Sequence, residues 1–167
     1  MYSARREKRK DLVMGWTLEQ RQRLALEHQV LQREGFDQFG VYHYAADDSY
    51  SAGGLATANS GYQYRLWIPI PSGYPHQRPQ MYITSPDPLL MFDRKPVSSL
   101  GVSHQMHTLT PLAGWPQICH WRDTRWHSGI LLQKVFLKGL LWIEAYEQHL
   151  TTGRSIADFV STMAERA

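Results

Sequence analysis

Residues 62–70 read YQYRLWIPI, and this stretch decides the fold class. Tyr62, Tyr64, Leu66, Ile68 and Ile70 fall on one face, with Gln63, Arg65 and Trp67 on the other. That period of two marks a strand with one face in a core. Such a strand needs partners, and the flanking sequence supplies them. Upstream, Leu55–Ala58 reads as a short strand across the Asn59-Ser60-Gly61 turn, Asp47–Gly54 as a turn cluster, and Phe39–Tyr44 as a further strand. Downstream, Pro71-Ser72-Gly73 closes the segment, residues 74–79 (YPHQRP) form a link, and Met81–Thr84 is a fourth strand. Short strands joined by tight turns predict a four-strand antiparallel meander.

Helical patterns flank the meander. Thr17 with Gln20 three residues later fits a capping box, and good helix formers run on to Gly35. Leu24 and Leu31, widened by Ala25 and Val30, give this helix a face to pack. A second, longer helix is expected from Ser128 to Thr151, ended by Gly153. Leu132, Val135, Phe136, Leu140, Ile143, Tyr146 and Leu150 keep its 3.6-residue period, and Leu131, Leu137, Leu141 and Trp142 predict cover on more than one side. Gly139 inside it costs about 1 kcal/mol against alanine, which points to a close helix-to-sheet approach. A short helix from Ser155 to about Met163 follows, with Ser155 at the cap position. Between meander and long helix, Ser85–Arg125 loses regular patterning. Pro86, Pro88, Pro96, Pro111 and Pro116 deny it helix and ladder alike. Long irregular segments in compact domains are commonly functional. The whole reads as an α+β domain.

The 167 residues suffice for one ordinary domain, with 43% apolar and 20% charged side chains, so disordered and fibrous classes are excluded. Of the net charge of +3, residues 1–10 carry +4 (Arg5, Arg6, Lys8, Arg9 and Lys10 against Glu7), which leaves −1 on the rest. A folded nucleic-acid binder carries its positive charge on the domain. Here residues 1–15 are expected to be a basic, flexible tail and residues 16–167 a single domain. The lone cysteine, Cys119, excludes an internal disulfide and thiolate-rich metal sites. The charged start runs into no apolar signal-like region, and the apolar run Gly129–Ile143 is broken by Gln133, Lys134 and Lys138. These features predict a soluble, cytoplasmic protein.

Cys119 lies in the irregular segment, among His104, His107, His120 and His127. A cysteine there is either a small buried hydrophobe or a nucleophile, the latter needing partial exposure and access to the thiolate. The histidine spacings match no tight zinc pattern, and no protease signature surrounds Cys119, although His107 or His127 could act as base. No glycine-rich phosphate loop, GxSxG or HExxH occurs. No metal and no cofactor are expected.

The order of elements and five local motifs resemble the ubiquitin-conjugating enzymes. Tyr74-Pro75-His76-Gln77-Arg78-Pro79 is similar to that family's YP…P link, and Met81-Tyr82-Ile83-Thr84 to its V-x-F-x-T strand. Gln117-Ile118-Cys119 is similar to the segment around its catalytic cysteine, Trp126 to the tryptophan that follows it, and Ile130–Leu141 to its next helix. The resemblance covers roughly residues 17–150. It implies that Cys119 accepts a ubiquitin-like modifier as a thioester from an activating enzyme and passes it to a target lysine. It also implies that the N-terminal helix and basic tail dock the activating enzyme. The segment from Cys119 to Trp126, with Leu141–Glu147 and Thr152-Gly153, resembles the divergent bacterial members, which occur in antiviral defence operons.

The departures bear on mechanism. Where the family carries His-Pro-Asn, its asparagine supporting the oxyanion, this chain has His107-Thr108-Leu109. Oxyanion support then falls to His107, Thr108, Thr110 or backbone N–H groups. Asp123 or His127 would orient or deprotonate the incoming amine. The two C-terminal helices of the eukaryotic enzymes are not expected after the long helix, since the sequence ends soon after it. Two rival readings stand beside the enzyme: a catalytically inert scaffold or modifier-binding module of the same fold, and a nucleic-acid-binding module that uses the basic tail.

Overall fold

The computed structural model describes residues 15–164, so the basic tail lies outside the described residues. Among them are helices α1 (Leu18–Arg33), α2 (Leu132–Thr152) and α3 (Ala157–Ala164) and six strands. The strands are β1 (Phe39–Tyr44), β2 (Ser49–Thr57), β3 (Gln63–Pro69), β4 (Met81–Ser85), β5 (Thr108–Leu112) and β6 (Trp115–Ile118). They form one antiparallel sheet in the order β1-β2-β3-β4-β6-β5. The class is α+β, with the expected order of helices around the sheet.

The strand 62–70 lies near the centre of the sheet. Tyr64, Leu66, Ile68 and Ile70 are buried, while Tyr62, outside the ladder, is exposed. On the opposite face Trp67 packs against Tyr82 and Trp115. Two sequence expectations need correction here. The turn cluster placed at Asp47–Gly54 is mostly strand: β2 begins at Ser49 and runs nine residues. Gly53 and Gly54 look like turn residues, but they serve close approach. A side chain at 54 would meet the carbonyl of Gln38, and one at 53 the carbonyl of Leu66. The meander also extends beyond four strands, because β5 and β6 lie inside the segment expected to be irregular. Pro111 and Pro116 sit where the β5–β6 register shifts between Leu109 and Leu112, so each missing N–H falls at a ladder irregularity.

Helix α1 carries the expected capping box: Thr17 Oγ1 accepts from the Gln20 amide, and Gln20 Oε1 from the Thr17 amide. The same Gln20 side chain donates to the carbonyls of Ser72 and Tyr74, fastening the helix to the link after β3. The buried stripe is Leu24, Glu27 and Leu31, with Ala25 exposed. Glu27, a carboxylate on the apolar face, has a specific purpose. It accepts from Arg23 Nε at 2.7 Å, from the Tyr74 hydroxyl, and from the Leu132 amide at 2.8 Å. Helix α2 therefore starts at Leu132, four residues later than the periodicity suggests, and Glu27 from α1 satisfies its first orphan N–H. Burial and this carboxylate push the Tyr74 phenol pKa up.

Helix α2 crosses the sheet at Gly139. A Cβ there would lie 2.9 Å from Leu66 Cδ1 and Met81 Cε, the close approach its glycine signals. Its far side holds down the segment after β4. Trp142 Nε1 donates to the Met106 carbonyl at 2.9 Å and the Tyr146 hydroxyl to that of Leu90 at 2.6 Å. His149 Nε2 accepts from the Phe92 amide while its Nδ1–H donates to the Arg154 carbonyl. Gly153, at φ +73°, ends the helix as expected. Helix α3 begins at Ala157, two residues past the cap position assigned to Ser155. Among the described residues no helix is long and apolar enough to cross a membrane.

Candidate functional site

Cys119 is the first residue after β6, which pairs with β4 through Ile118 and Gln117. The sheet thus sets its position, where the chain leaves the ladder. Its amide donates to the His107 carbonyl at 2.9 Å. His107 sits just before β5 with φ +51°, a left-handed conformation that histidine tolerates better than most side chains. Cys119 is half-buried and lines a cleft of about 430 Å³. Across that cleft stand Ile130 and, on α2, Lys134, Leu137, Lys138 and Trp142.

His107 and Cys119, the two residues expected to carry the chemistry, line this one cleft. Burial, then the neighbouring His104, push the His107 pKa down, so its ring is neutral and offers one N–H and one acceptor. The four supporting candidates lie elsewhere. Thr108 is buried and its hydroxyl donates to the Gly101 carbonyl at 3.0 Å, so it is committed to holding β5. Thr110 is exposed on β5 and does not line the cleft. Asp123 faces solvent and pairs with Arg78 Nε at 2.5 Å. His127 is exposed, its Nδ1 accepting from the Gly129 amide at 3.2 Å. With the Cys119 amide bonded to His107, that N–H is also spent. Of the oxyanion donors expected from the sequence, the His107 ring is the one at the cleft.

Three residues that the sequence reading left without a role complete the site. His120 is buried, and its Nε2–H donates to the Pro79 carbonyl at 2.7 Å, which leaves Nδ1 a bare acceptor with no partner. Burial is the main reason its pKa is pushed down to about 4. Trp121 is half-buried, and its Nε1–H also lacks a partner. Lys138 lays its ammonium over the Trp121 ring, 3.7 Å from the centroid. In the sequence Lys138 reads only as a polar break in an apolar run. The signal was available in its position one turn after Lys134 on an otherwise apolar helix face. Trp126 fixes the segment from outside: its Nε1 donates to the Pro75 carbonyl at 3.0 Å and its ring packs edge-on against His120. The YPHQRP link and the segment after Cys119 are therefore one structural unit.

Among the described residues no group of three or more His, Cys, Asp or Glu side chains is arranged to hold a metal ion. The arrangement that exists suits a nucleophilic thiol: a half-buried cysteine at a cleft, an apolar wall, a neutral histidine and a lysine. The chain matches no family model, no curated protein and no solved structure.

Proposed function

We propose that this chain is a conjugating enzyme of the ubiquitin type, which carries a ubiquitin-like modifier as a thioester on Cys119 and passes it to an amine of a target protein. The observation that carries the reading is Cys119 at the end of β6, half-buried and lining a cleft shared with α2. A sulfur sealed beneath the sheet would leave only a binding role. The tie between the YPHQRP link and the segment after Cys119 adds support, since two of the resembling motifs meet through Trp126 and Pro75.

The chemistry asks little of the protein. The Cys119 thiolate attacks the carbonyl of the activating enzyme's thioester, and that enzyme's thiolate leaves with the bond electrons. The target amine then attacks the new thioester, loses a proton to solvent or a neighbouring base, and Cys119 leaves as thiolate. A thioester is already activated, so position and modest electrostatic help suffice. His107 is the neutral donor or acceptor within the cleft. In this reading α1 and the basic tail receive the activating enzyme, and the protein works in the cytoplasm of a bacterium, in antiviral defence.

The test is a nonreducing gel after mixing the protein with activating enzyme, ATP and the ubiquitin-like protein. The expected result is an adduct lost on thiol treatment and absent from Cys119→Ala. A protein that binds the modifier but never forms this adduct is the inert scaffold instead.

A further inference from the structure

A thiol that reacts as its anion gains from a positive charge beside it, and a charge that wanders in solvent gives little. Lys138 does not wander. Its ammonium rests on the Trp121 ring, and the half-buried residue lines the same cleft as Cys119. Burial is the largest influence on Lys138 and pushes its pKa down. The attraction of a Cys119 anion opposes this, and Arg125 reinforces it. Lys138 and Cys119 line the same cleft, so the ammonium stands on the wall the thiol shares. The other titratable groups here are placed differently. His120 is buried neutral with Nε2 bound to Pro79, His107 is pushed down by burial, Lys134 is exposed, Asp123 is engaged by Arg78, and Arg125 is exposed.

We propose that Lys138, held by the Trp121 ring, is a positioning residue that supplies positive charge to the reacting sulfur of Cys119. The role deepens the conjugating-enzyme reading, but it can be measured without any partner protein. Nothing covalent happens to Lys138: it attracts the anion that attacks and the anion that leaves.

The experiment follows the alkylation of Cys119 by iodoacetamide in the full chain at pH 7.5, with Cys119→Ala as the blank. Lys138→Met keeps the stem and removes the charge, and it is expected to slow alkylation about three- to tenfold. Lys138→Arg keeps the charge and is expected to restore most of the rate, which a purely structural role of the lysine stem would not require. A pH profile gives the second readout. The advantage of the wild type over Lys138→Met should fade as the pH rises and the thiol becomes fully ionised in both proteins. Equal rates for wild type and Lys138→Met at pH 7.5, or an arginine variant as slow as the methionine one, overturn the proposal. A protein with the charge effect but no adduct on the gel keeps this inference and loses the conjugating function; the reverse pattern loses only Lys138.

Discussion

Two regions on either side of α2's first turns handle buried polar groups in opposite ways. At the seam with α1, Glu27 is fully buried, yet three donors from three parts of the chain meet its carboxylate. Arg23 closes the seam by donating also to the Ile130 carbonyl at 3.0 Å. Around the cleft, His120 Nδ1, Trp121 Nε1 and, behind them, Arg78 Nη1 are buried with no partner. Buried polar groups in native proteins are nearly always paired, and a fully satisfied network rigidifies a fold. The seam is such a network. The cleft gathers the unsatisfied buried side-chain atoms of the described residues into the neighbourhood of Cys119, the opposite of the seam's full pairing.

The sharpest way to break this contrast is to remove the seam's hub. Glu27→Ala strips the partner from Arg23, from the Tyr74 hydroxyl and from the Leu132 amide, and leaves a cavity on the apolar face of α1. Breaking a buried ion pair from one side typically costs about 3–5 kcal/mol, and that loss is expected in urea unfolding. A loss under about 1 kcal/mol would mean that the seam is no network.

The cleft side responds to pH instead. His120 titrates at about 4 when folded, far below its ordinary 6.5, chiefly because burial disfavours the imidazolium, with Arg78 and Lys138 adding to the effect. The unfolded chain therefore takes up a proton between pH 6.5 and 4 that the folded chain refuses. Stability is fully present above 6.5 and falls as the pH drops toward 4, by roughly 3 kcal/mol from this group. His120→Gln keeps an N–H for the Pro79 carbonyl and removes the titration. The expected outcome is a flatter profile of unfolding free energy against pH over that window, and equal slopes for the two proteins would refute the assignment.

The two regions also differ in how far the sequence discloses them. Period-two and period-3.6 patterns found β3, α1 and α2, since those elements bury one face and the burial writes the pattern. Gly139 announced its contact with β3 because only a missing side chain permits it. Glu27 could not be found this way: two of its three partners lie 47 and 105 residues away, and a charged residue on an apolar stripe reads as a surface break. Strands β5 and β6 escaped for a related reason. Each has five residues or fewer, prolines obscure their alternation, and they exist through pairing with β4 and each other. Cys119 was singled out by its setting and His107 through the family resemblance, and the fold places both at one cleft. Lys138 was not, because its role comes from the fold bringing a helix face opposite a loop.

Trp121→Phe probes the smallest difference. The indole N–H is buried without a partner, so deleting it abandons no hydrogen bond. Removing an already unpaired polar atom is close to neutral, and the smaller ring gives up only some packing. Urea unfolding is expected to shift by less than about 1 kcal/mol, against the much larger loss for Glu27→Ala. The phenyl face still accepts the Lys138 ammonium, though less well than indole does, so Cys119 alkylation should slow by less than in Lys138→Met. Trp121→Ala removes the face altogether, frees the lysine to solvent, and should slow alkylation nearly as much as Lys138→Met does. If Trp121→Phe instead destabilises the protein as severely as Glu27→Ala, the indole N–H has a partner in solution, and the cleft is built on the same terms as the seam.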